Sequence, residues 1–261
     1  MAEFNEFYQR AEWYDIALGR DVGPEVRFIQ DLARQRLGRP LGSALEIACG
    51  PGYHARGLAA AGAAVWAFDL RPEMIDLARE RAENDPVPVH WFAADMRGFS
   101  LPQPVEAAIA VFDAIDCLLT NDEIVDHFRR VGDALTPDGF YLVDMTHPRD
   151  SRPYDYGSFL YSGERGGTKV SVRWAVNEPR VDPLTNVARV ETEIVAEQDG
   201  RVLATIRNKA QERFASATEY AALAALSGRL KLAAAYGGFS LSQPFDNTPA
   251  SRRMLLVFAR S

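Results

Sequence analysis

Short apolar runs alternate with amphipathic stretches through the first 150 residues. The apolar runs have the length of strands and lie at 45–48, 64–68, 87–93, 105–112 and 140–145. Other stretches repeat apolar residues every three or four positions, which predicts helices at 22–37, 53–61, 72–84 and 122–135. A Thr-Pro-Asp-Gly sequence at 136–139 predicts a turn before the fifth strand. Strands that alternate with helices in this way predict a parallel sheet with helices on both faces.

The pattern changes after residue 150. Three longer runs alternate apolar and polar residues, at 169–176, 187–196 and 202–214. Turn sequences at 182–186 and 199–200 separate them, which predicts an antiparallel meander. A helix at 218–226 and a strand at 253–258 then resume the first pattern. The predicted fold is therefore α/β, a doubly wound, mostly parallel, Rossmann-like sheet with an antiparallel β insertion after strand five.

Composition and charge narrow the class of protein. The 261 residues are 47% hydrophobic and 25% charged, as in a globular chain, and the net charge of −7 repels phosphate backbones. We therefore expect no nucleic-acid partner. No apolar stretch approaches the roughly 20 residues that cross a bilayer, and the acidic start lacks the apolar segment of a signal peptide. Cys49 and Cys117 give neither a disulfide framework nor metal-ligand spacing, so a soluble cytoplasmic protein without a metal is expected.

A glycine-containing turn follows the first apolar run. Gly50 and Gly52 let the backbone approach a ligand, and Asp69 ends the next run, 19 residues after Gly50. This spacing nearly matches the dinucleotide fingerprint, so NAD binding is one interpretation. Pro51 argues against it because it removes an amide that a pyrophosphate would use. An acid within the first run, Glu46, and another after the third, Asp95, also depart from that fingerprint.

Taken together, these motifs resemble the class I methyltransferases that use S-adenosylmethionine. The resemblance covers about residues 40–147 and the final strand, and rests on Glu46-Ile-Ala-Cys-Gly50-Pro-Gly52, Phe68-Asp69-Leu70, Ala94-Asp95-Met96, Phe112-Asp113-Ala114-Ile115-Asp116 and Leu135-Thr136-Pro137-Asp138-Gly139-Phe140. It implies a seven-stranded sheet and S-adenosylmethionine as cofactor. Ala48 departs from the family, which usually has glycine there, and we expect a tighter turn with cofactor binding retained.

The resemblance also assigns roles to the cofactor-binding residues. Glu46 orders the loop that meets the methionine part, where Ala48, Gly50 and Gly52 allow close approach. By the same resemblance, Asp69 binds the ribose hydroxyls, and Leu70 and Met74 contact the two faces of the adenine. Asp95 binds the adenine amino group, the Met96 backbone contacts the ring edge, and Phe112 contacts the sulfonium. A carboxylate accepts hydrogen bonds from hydroxyl and amino groups, so acids at adjacent strand ends suit a ribose and an adenine.

The acceptor side is less specific. The insertion is similar to that of glycine/sarcosine and amino-sugar N-methyltransferases, where N-terminal helices and the insertion close over the site. Tyr14, in an aromatic N-terminus, has two interpretations, a catalytic lid residue or part of a packing face. Candidate bases for the acceptor are Asp116 and His147. The candidate substrate-binding residues are Tyr154, Tyr156 and Arg173. His54 and His90 are predicted to be structural, and His127 is predicted to lie on a polar helix face.

The predicted organisation and function follow from this resemblance. Residues 1–40 form a helical lid, 41–150 the cofactor-binding core, 151–215 the β insertion on the acceptor side, and 216–261 the return to the core. The predicted function is transfer of a methyl group from S-adenosylmethionine to a small molecule, with nitrogen favoured over oxygen. The alternatives are an NAD-dependent oxidoreductase and a non-catalytic nucleoside-binding protein. The insertion has two possible roles. Its strands could close a pocket, or they could form a homodimer interface.

Overall fold

A computed structural model describes residues 6–83, 85, 88–149 and 159–261. The chain divides into two compact units, each with its own sheet and core. The larger unit contains Val22–Pro148 and Ala215–Ser261, and the smaller contains Met1–Asp21 and Arg149–Phe214. The segment 1–40 that the sequence predicts as one helical lid is divided between the two units, because its third helix packs on the larger sheet.

The larger unit alternates strands and helices as predicted. Its helices are α3 (Gly23–Leu37), α4 (Tyr53–Ala60), α5 (Pro72–Ala82), α6 (Asn121–Ala134) and α7 (Ala217–Leu226). Its strands are β1 (Ser43–Ile47), β2 (Ala64–Asp69), β3 (Val89–Ala93), β4 (Val105–Ala110), β5 (Leu135–Thr146), β10 (Leu230–Tyr236) and β11 (Arg253–Arg260). Helices α6 and α7 are preceded by the N-cap residues Thr120 and Ser216. Each cap hydroxyl accepts from the backbone N–H of a glutamate three residues later, whose side chain accepts from the cap backbone N–H, which is a capping box.

The seven strands form one sheet in the order β10-β11-β5-β4-β1-β2-β3, which confirms the predicted fold class. Strands β1 to β5 run parallel, and β11 pairs antiparallel with both β5 and β10. Consecutive β5 residues face opposite cores. Phe140 and Leu142 pack with α3 and α4, whereas Tyr141 and Val143 pack with α6 and α7. Because β1 to β5 are parallel, their carboxyl ends meet along one edge of the sheet, where ligands bind in open α/β folds.

Two local features differ from the sequence-based expectation. The predicted turn at 136–139 lies inside β5, where the register shifts so that Leu135 pairs with Val105 but Phe140 pairs with Ala107. The turn sequence therefore produces a bulge in the strand. Strand β10 was not expected, because its alanine-rich sequence lacks the β-branched residues that mark strands.

The smaller unit contains α1 (Glu6–Gln9), α2 (Ala11–Leu18) and a four-stranded sheet. Its strands are β6 (Phe159–Arg165), β7 (Thr168–Trp174), β8 (Val187–Gln198) and β9 (Arg201–Arg213). They pair antiparallel in chain order, which confirms the predicted meander. One face buries Val172, Ile194 and Ile206 against α1 and α2. Glycine is needed at Gly163, because a Cβ there would lie 1.8 Å from the Ile16 carbonyl oxygen.

Candidate functional site

The loop between β1 and α4 has an unusual backbone. Ala48, Gly50 and Gly52 adopt left-handed φ values of 53°, 51° and 75°. Glycine reaches this region freely, whereas alanine is strained there by roughly 1–2 kcal/mol. A Cβ on Gly52 would also lie 2.3 Å from the Trp91 ring. The loop therefore folds tightly, and Ala48 is its one left-handed residue that is not glycine.

Glu46 connects β1 to the start of α4. Its side chain is 2% exposed, and Oε2 accepts from the Ala55 backbone N–H at 2.7 Å. Its Oε1 lies 3.2 Å from His54 Nδ1, and because an ionised carboxylate only accepts, His54 donates there. Glu46 thus holds the first turn of the helix that follows the loop, consistent with the ordering role predicted for it.

Asp69 lies beside the same loop. Its Oδ2 accepts from the Gly50 N–H and its Oδ1 from the Arg71 N–H, both at 2.9 Å. Burial raises the pKa of Asp69, and the two amide bonds oppose that shift. A carboxylate has about four acceptor positions, and these two amides use two of them. Two ribose hydroxyls are suitable donors for the remaining positions.

The predicted adenine contacts differ in exposure. Leu70 follows Asp69 and is 57% exposed, so its apolar side chain offers a surface that a flat ring could cover. Met74, in the first turn of α5, is only 1% exposed and packs in the interior. Leu70 therefore presents an exposed apolar side chain beside Asp69, whereas Met74 has no exposed face for a ring.

Asp95 follows β3 and is held by Arg97. The Arg97 guanidinium bonds both carboxylate oxygens, with Nη2 at 2.6 Å from Oδ2, and also contacts Glu123 at 3.0 Å. These bonds lower the pKa of Asp95, so the carboxylate is ionised at neutral pH. An adenine amino group at Asp95 would share its acceptor with Arg97, a residue that the sequence analysis did not consider.

A buried histidine, His127, forms a hydrogen bond with the Met96 backbone. His127 in α6 is fully buried, contrary to the prediction that it lies on a polar face. Its Nδ1 lies 3.0 Å from the Met96 carbonyl oxygen, so Nδ1 donates, and Nε2 accepts from the Tyr141 hydroxyl at 2.8 Å. Burial lowers the pKa of His127 to about 4, which keeps the ring neutral. The prediction was wrong because a histidine with two partners is readily buried.

The carboxyl end of β4 has a second unusual backbone. Phe112 and Asp113 both adopt left-handed φ values, 60° and 61°, although neither is glycine. Such residues are strained by roughly 1–3 kcal/mol each and are held by their surroundings. Here Asp144 Oδ2 accepts from the Phe112 N–H at 2.9 Å, and the Asp113 carboxylate accepts from the Thr146 N–H. Phe112 thus lies at the strand end, where the sequence placed it, in a turn tied to β5.

Arg253, the first residue of β11, completes this turn. Its Nε lies 2.6 Å from Asp144 Oδ1, and its Nη2 lies 3.0 Å from Asp113 Oδ2. The two carboxylates raise the pKa of Arg253, and burial raises that of Asp113 while Arg253 opposes the shift. Sequence reasoning missed Arg253 and Asp144. The available signal was an acid in the apolar fifth strand and an arginine at the start of the last one.

The two candidate bases lie in different environments. Asp116 is partly buried one turn beyond the strained pair, and its backbone N–H donates to the Asp113 carbonyl oxygen at 3.1 Å. His147 follows β5 and is 5% exposed. Its Nε2 donates to the Asp246 carbonyl oxygen at 2.9 Å, and its ring packs on Phe245. A base role for His147 therefore rests on Nδ1.

Two of the predicted acceptor-side residues, Tyr14 and Arg173, belong to the smaller unit. Tyr14 is partly buried and packs its ring 5.4 Å from Phe7 and 5.7 Å from Tyr8, the aromatic packing that one interpretation expected. Arg173 is exposed on β7, 4.0 Å from Glu193 of β8. Tyr154 and Tyr156 lie outside the described residues. The lid role of Tyr14 and the substrate role of Arg173 remain predictions.

The described ranges bear on metal binding and on membrane insertion. Within them, no group of three His, Cys, Asp or Glu side chains is arranged to hold a metal ion. None of the helices in those ranges combines the length and the apolar character of a membrane span. Burial raises the pKa of the Cys49 thiol well above its usual value, so this thiol is not poised as a nucleophile.

Comparison with known proteins agrees with this geometry. A family profile described as "Methyltransferase domain" matches residues 44–139, the range that contains the strained loops and Glu46, Asp69 and Asp95. Residues 44–139 are therefore similar to a methyltransferase domain. The similar curated proteins include dTDP-3-amino-3,6-dideoxy-alpha-D-glucopyranose N,N-dimethyltransferase of Streptomyces fradiae, which is 30% identical over 167 residues. That alignment covers 62% of this chain and 62% of the relative.

Solved structures share the fold of this chain over nearly its full length. DesVI of Streptomyces venezuelae superposes with a TM-score of 0.77 at 22% identity, covering 99% of this chain and 100% of its own. An amino pentose methyltransferase of Micromonospora echinaspora, solved with S-adenosylmethionine bound, gives a TM-score of 0.71 at 22% identity and covers 99% and 98%. The predicted resemblance to class I small-molecule methyltransferases is confirmed. The domain match supports the predicted cofactor, S-adenosylmethionine.

Proposed function

We propose that this protein transfers a methyl group from S-adenosylmethionine to an amino nitrogen of a small molecule, and that the acceptor is a nucleotide-linked amino sugar. The observation that carries the proposal is the row of acids at one edge of the sheet, with Glu46 behind the loop, Asp69 beside it and Asp95 after the next strand. The nitrogen acceptor rests on the relatives, since the printed name of the Streptomyces fradiae protein is that of an amino-sugar N,N-dimethyltransferase.

The residues of the site fit the cofactor by their chemistry. Leu70 offers an exposed apolar surface for a ring, and Asp69 offers acceptor positions for hydroxyl donors. The loop from Ala48 to Gly52 is tight and includes Pro51, which suits a ligand without a pyrophosphate. When bound, S-adenosylmethionine supplies an activated methyl group on a sulfonium. Transfer is then mainly a matter of alignment and exclusion of water, so positioning carries much of the rate.

The acceptor nitrogen must be neutral to attack. An amine that is protonated in solution loses one proton before transfer, and the methylated ammonium loses another afterwards. Asp116 is the acid placed one turn beyond the strained pair at the end of β4, so we assign it the proton-accepting role. His147 is the second candidate, through Nδ1.

Binding and turnover measurements test the proposal separately. Isothermal titration of the full chain with S-adenosylhomocysteine should give micromolar binding, and titration with NAD should give none. Methyl transfer should then be followed by mass spectrometry with dTDP-amino sugars, the matching hydroxyl sugars and simple amines. Methylation of the amino sugar alone supports the proposal. NAD binding without a response to S-adenosylhomocysteine would favour the oxidoreductase, and cofactor binding without any product would favour a binding protein.

A further inference from the structure

The left-handed pair Phe112–Asp113 is held by residues distant in the chain. Asp144 and Thr146 belong to β5, and Arg253 begins β11, 140 residues after Asp113. Asp144 is 2% exposed, and Asp113 and Arg253 are each about one quarter exposed. A buried carboxylate is costly unless it is paired and hydrogen-bonded. Two carboxylates here share one guanidinium, so the arrangement of both depends on Arg253.

The guanidinium matches this arrangement in shape. Nε contacts Asp144, Nη2 contacts Asp113 and Nη1 lies 3.3 Å from the Thr146 hydroxyl. A planar fork serves three acceptors in fixed directions, whereas a lysine ammonium is a point charge at the end of a flexible chain. The oxygen of Asp144 that Arg253 leaves accepts from the Phe112 N–H. Asp144 thus connects Arg253 to the strained backbone at Phe112.

We propose that Arg253 is a positioning residue that fixes Phe112 and Asp113 in their left-handed turn and thereby shapes the part of the cofactor site that meets the sulfur-bearing portion of the cofactor. This inference rests on the proposed function, because the contact of Phe112 with that portion comes from the family resemblance. Arg253 itself touches carboxylates of the protein, and its effect on the cofactor passes through the backbone that they hold.

The role predicts a selective loss of binding. Adenosine carries the ribose and adenine that Asp69 and Asp95 serve, but lacks the homocysteine portion. In Arg253→Met, the dissociation constant of S-adenosylhomocysteine should rise at least tenfold, while that of adenosine should change less than threefold. Arg253→Lys keeps the charge without the fork and should fall between wild type and Arg253→Met. Both ligands are titrated calorimetrically against the full chain.

Two control variants separate positioning from general destabilisation. Arg252→Met removes an exposed arginine next in sequence and should leave both dissociation constants unchanged. Val257→Ala opens a cavity on the buried β11 strand, away from the turn, and should lower the melting temperature without altering the ratio of the two affinities. Hydrogen exchange of a peptide that includes Phe112 should accelerate in Arg253→Met and not in Arg252→Met.

The possible outcomes are distinct. Unchanged affinity for S-adenosylhomocysteine in both Arg253 variants would overturn the inference. So would parallel weakening of both ligands in proportion to the melting temperature, as expected for Val257→Ala. A wild-type chain that does not bind S-adenosylhomocysteine overturns the proposed function instead, and the exchange measurement then still reports whether Arg253 holds the turn.

Discussion

Two loops at the same edge of the larger sheet adopt left-handed backbone, and they are stabilised in different ways. The loop after β1 is held by an acid from the neighbouring strand, through the bond from the Gly50 N–H to Asp69. The turn after β4 is held by side chains from β5 and β11, through Asp144 and Arg253. The first depends on partners within about 20 positions, and the second joins residues up to 140 positions apart.

The difference shows how strain can be maintained without glycine. The first loop uses two glycines and a single strained alanine, so few bonds are needed to hold it. The second has Phe112 and Asp113, which need a closed set of hydrogen bonds and an ion cluster to remain in place. We therefore expect the first loop to respond to changes in its ligand-facing acid and the second to changes far from any ligand.

The largest effect is expected for Asp69→Ala. It removes two bonds from backbone amides and the predicted bonds to the ribose, and a charge-assisted bond contributes about 1.5–3 kcal/mol. Losing both ribose bonds should weaken S-adenosylhomocysteine by about 4 kcal/mol, or roughly a thousandfold in dissociation constant. Calorimetric titration measures the change.

Asp76→Ala serves as the matched control, since Asp76 is an exposed acid on α5 that pairs with Arg79. It should leave the affinity unchanged. If Asp69→Ala also binds like wild type at an unchanged melting temperature, the ribose assignment is wrong.

The next effect is the pH dependence of the free energy of unfolding, which depends on His127, the residue that bonds the Met96 carbonyl oxygen. The pKa of His127 is lowered to about 4, whereas an unfolded histidine titrates near 6.5. Between about pH 6.5 and about pH 4, His127 therefore binds a proton in the unfolded chain but not in the folded chain. The stability that neutral His127 contributes is fully present above about pH 6.5 and falls with decreasing pH, by about 3 kcal/mol at about pH 4.

Urea unfolding between about pH 7 and about pH 4.5 measures this loss. The His127→Gln variant cannot titrate, so its free energy of unfolding should fall less steeply than that of wild type over this window. His90→Gln, a change at an exposed histidine stacked on Trp66, should retain the wild-type slope. Equal slopes for wild type and His127→Gln would show that burial of His127 does not set the acid sensitivity.

These cases also explain what the sequence could predict. Alternating apolar runs predicted the parallel sheet, and the spacing from Gly50 to Asp69 predicted a first loop beside an acid, because the partners are on adjacent strands. The spacing of Asp144 and Arg253 carries no such signal, since their proximity depends on the pairing of β5 with β11. His127 was misplaced for the same reason, as its partner Tyr141 lies on a strand beneath its helix.

A smaller effect is expected for Asp95→Asn. The amide keeps one acceptor but loses the charge, so the bond to the adenine amino group weakens and S-adenosylhomocysteine should bind about tenfold more weakly, near 1.4 kcal/mol. Arg97→Gln is the variant to compare with it, because it removes the guanidinium that bonds both oxygens of Asp95. It should not weaken binding. Loss of affinity in Arg97→Gln equal to that in Asp95→Asn would mean that the ion pair, rather than the carboxylate alone, forms the adenine contact.

The smallest effect tests the strain in the first loop directly. Ala48 has a φ of 53°, where glycine is unstrained, so Ala48→Gly should raise the free energy of unfolding by about 1 kcal/mol. The same change at Ala222, an exposed residue inside α7, should lower it by about 1 kcal/mol, because glycine is unfavourable in a helix. Urea unfolding of both variants gives the two signs. If Ala48→Gly is as destabilised as Ala222→Gly, the backbone at 48 is not strained. In that case, the strain that needs long-range support would be confined to the turn after β4.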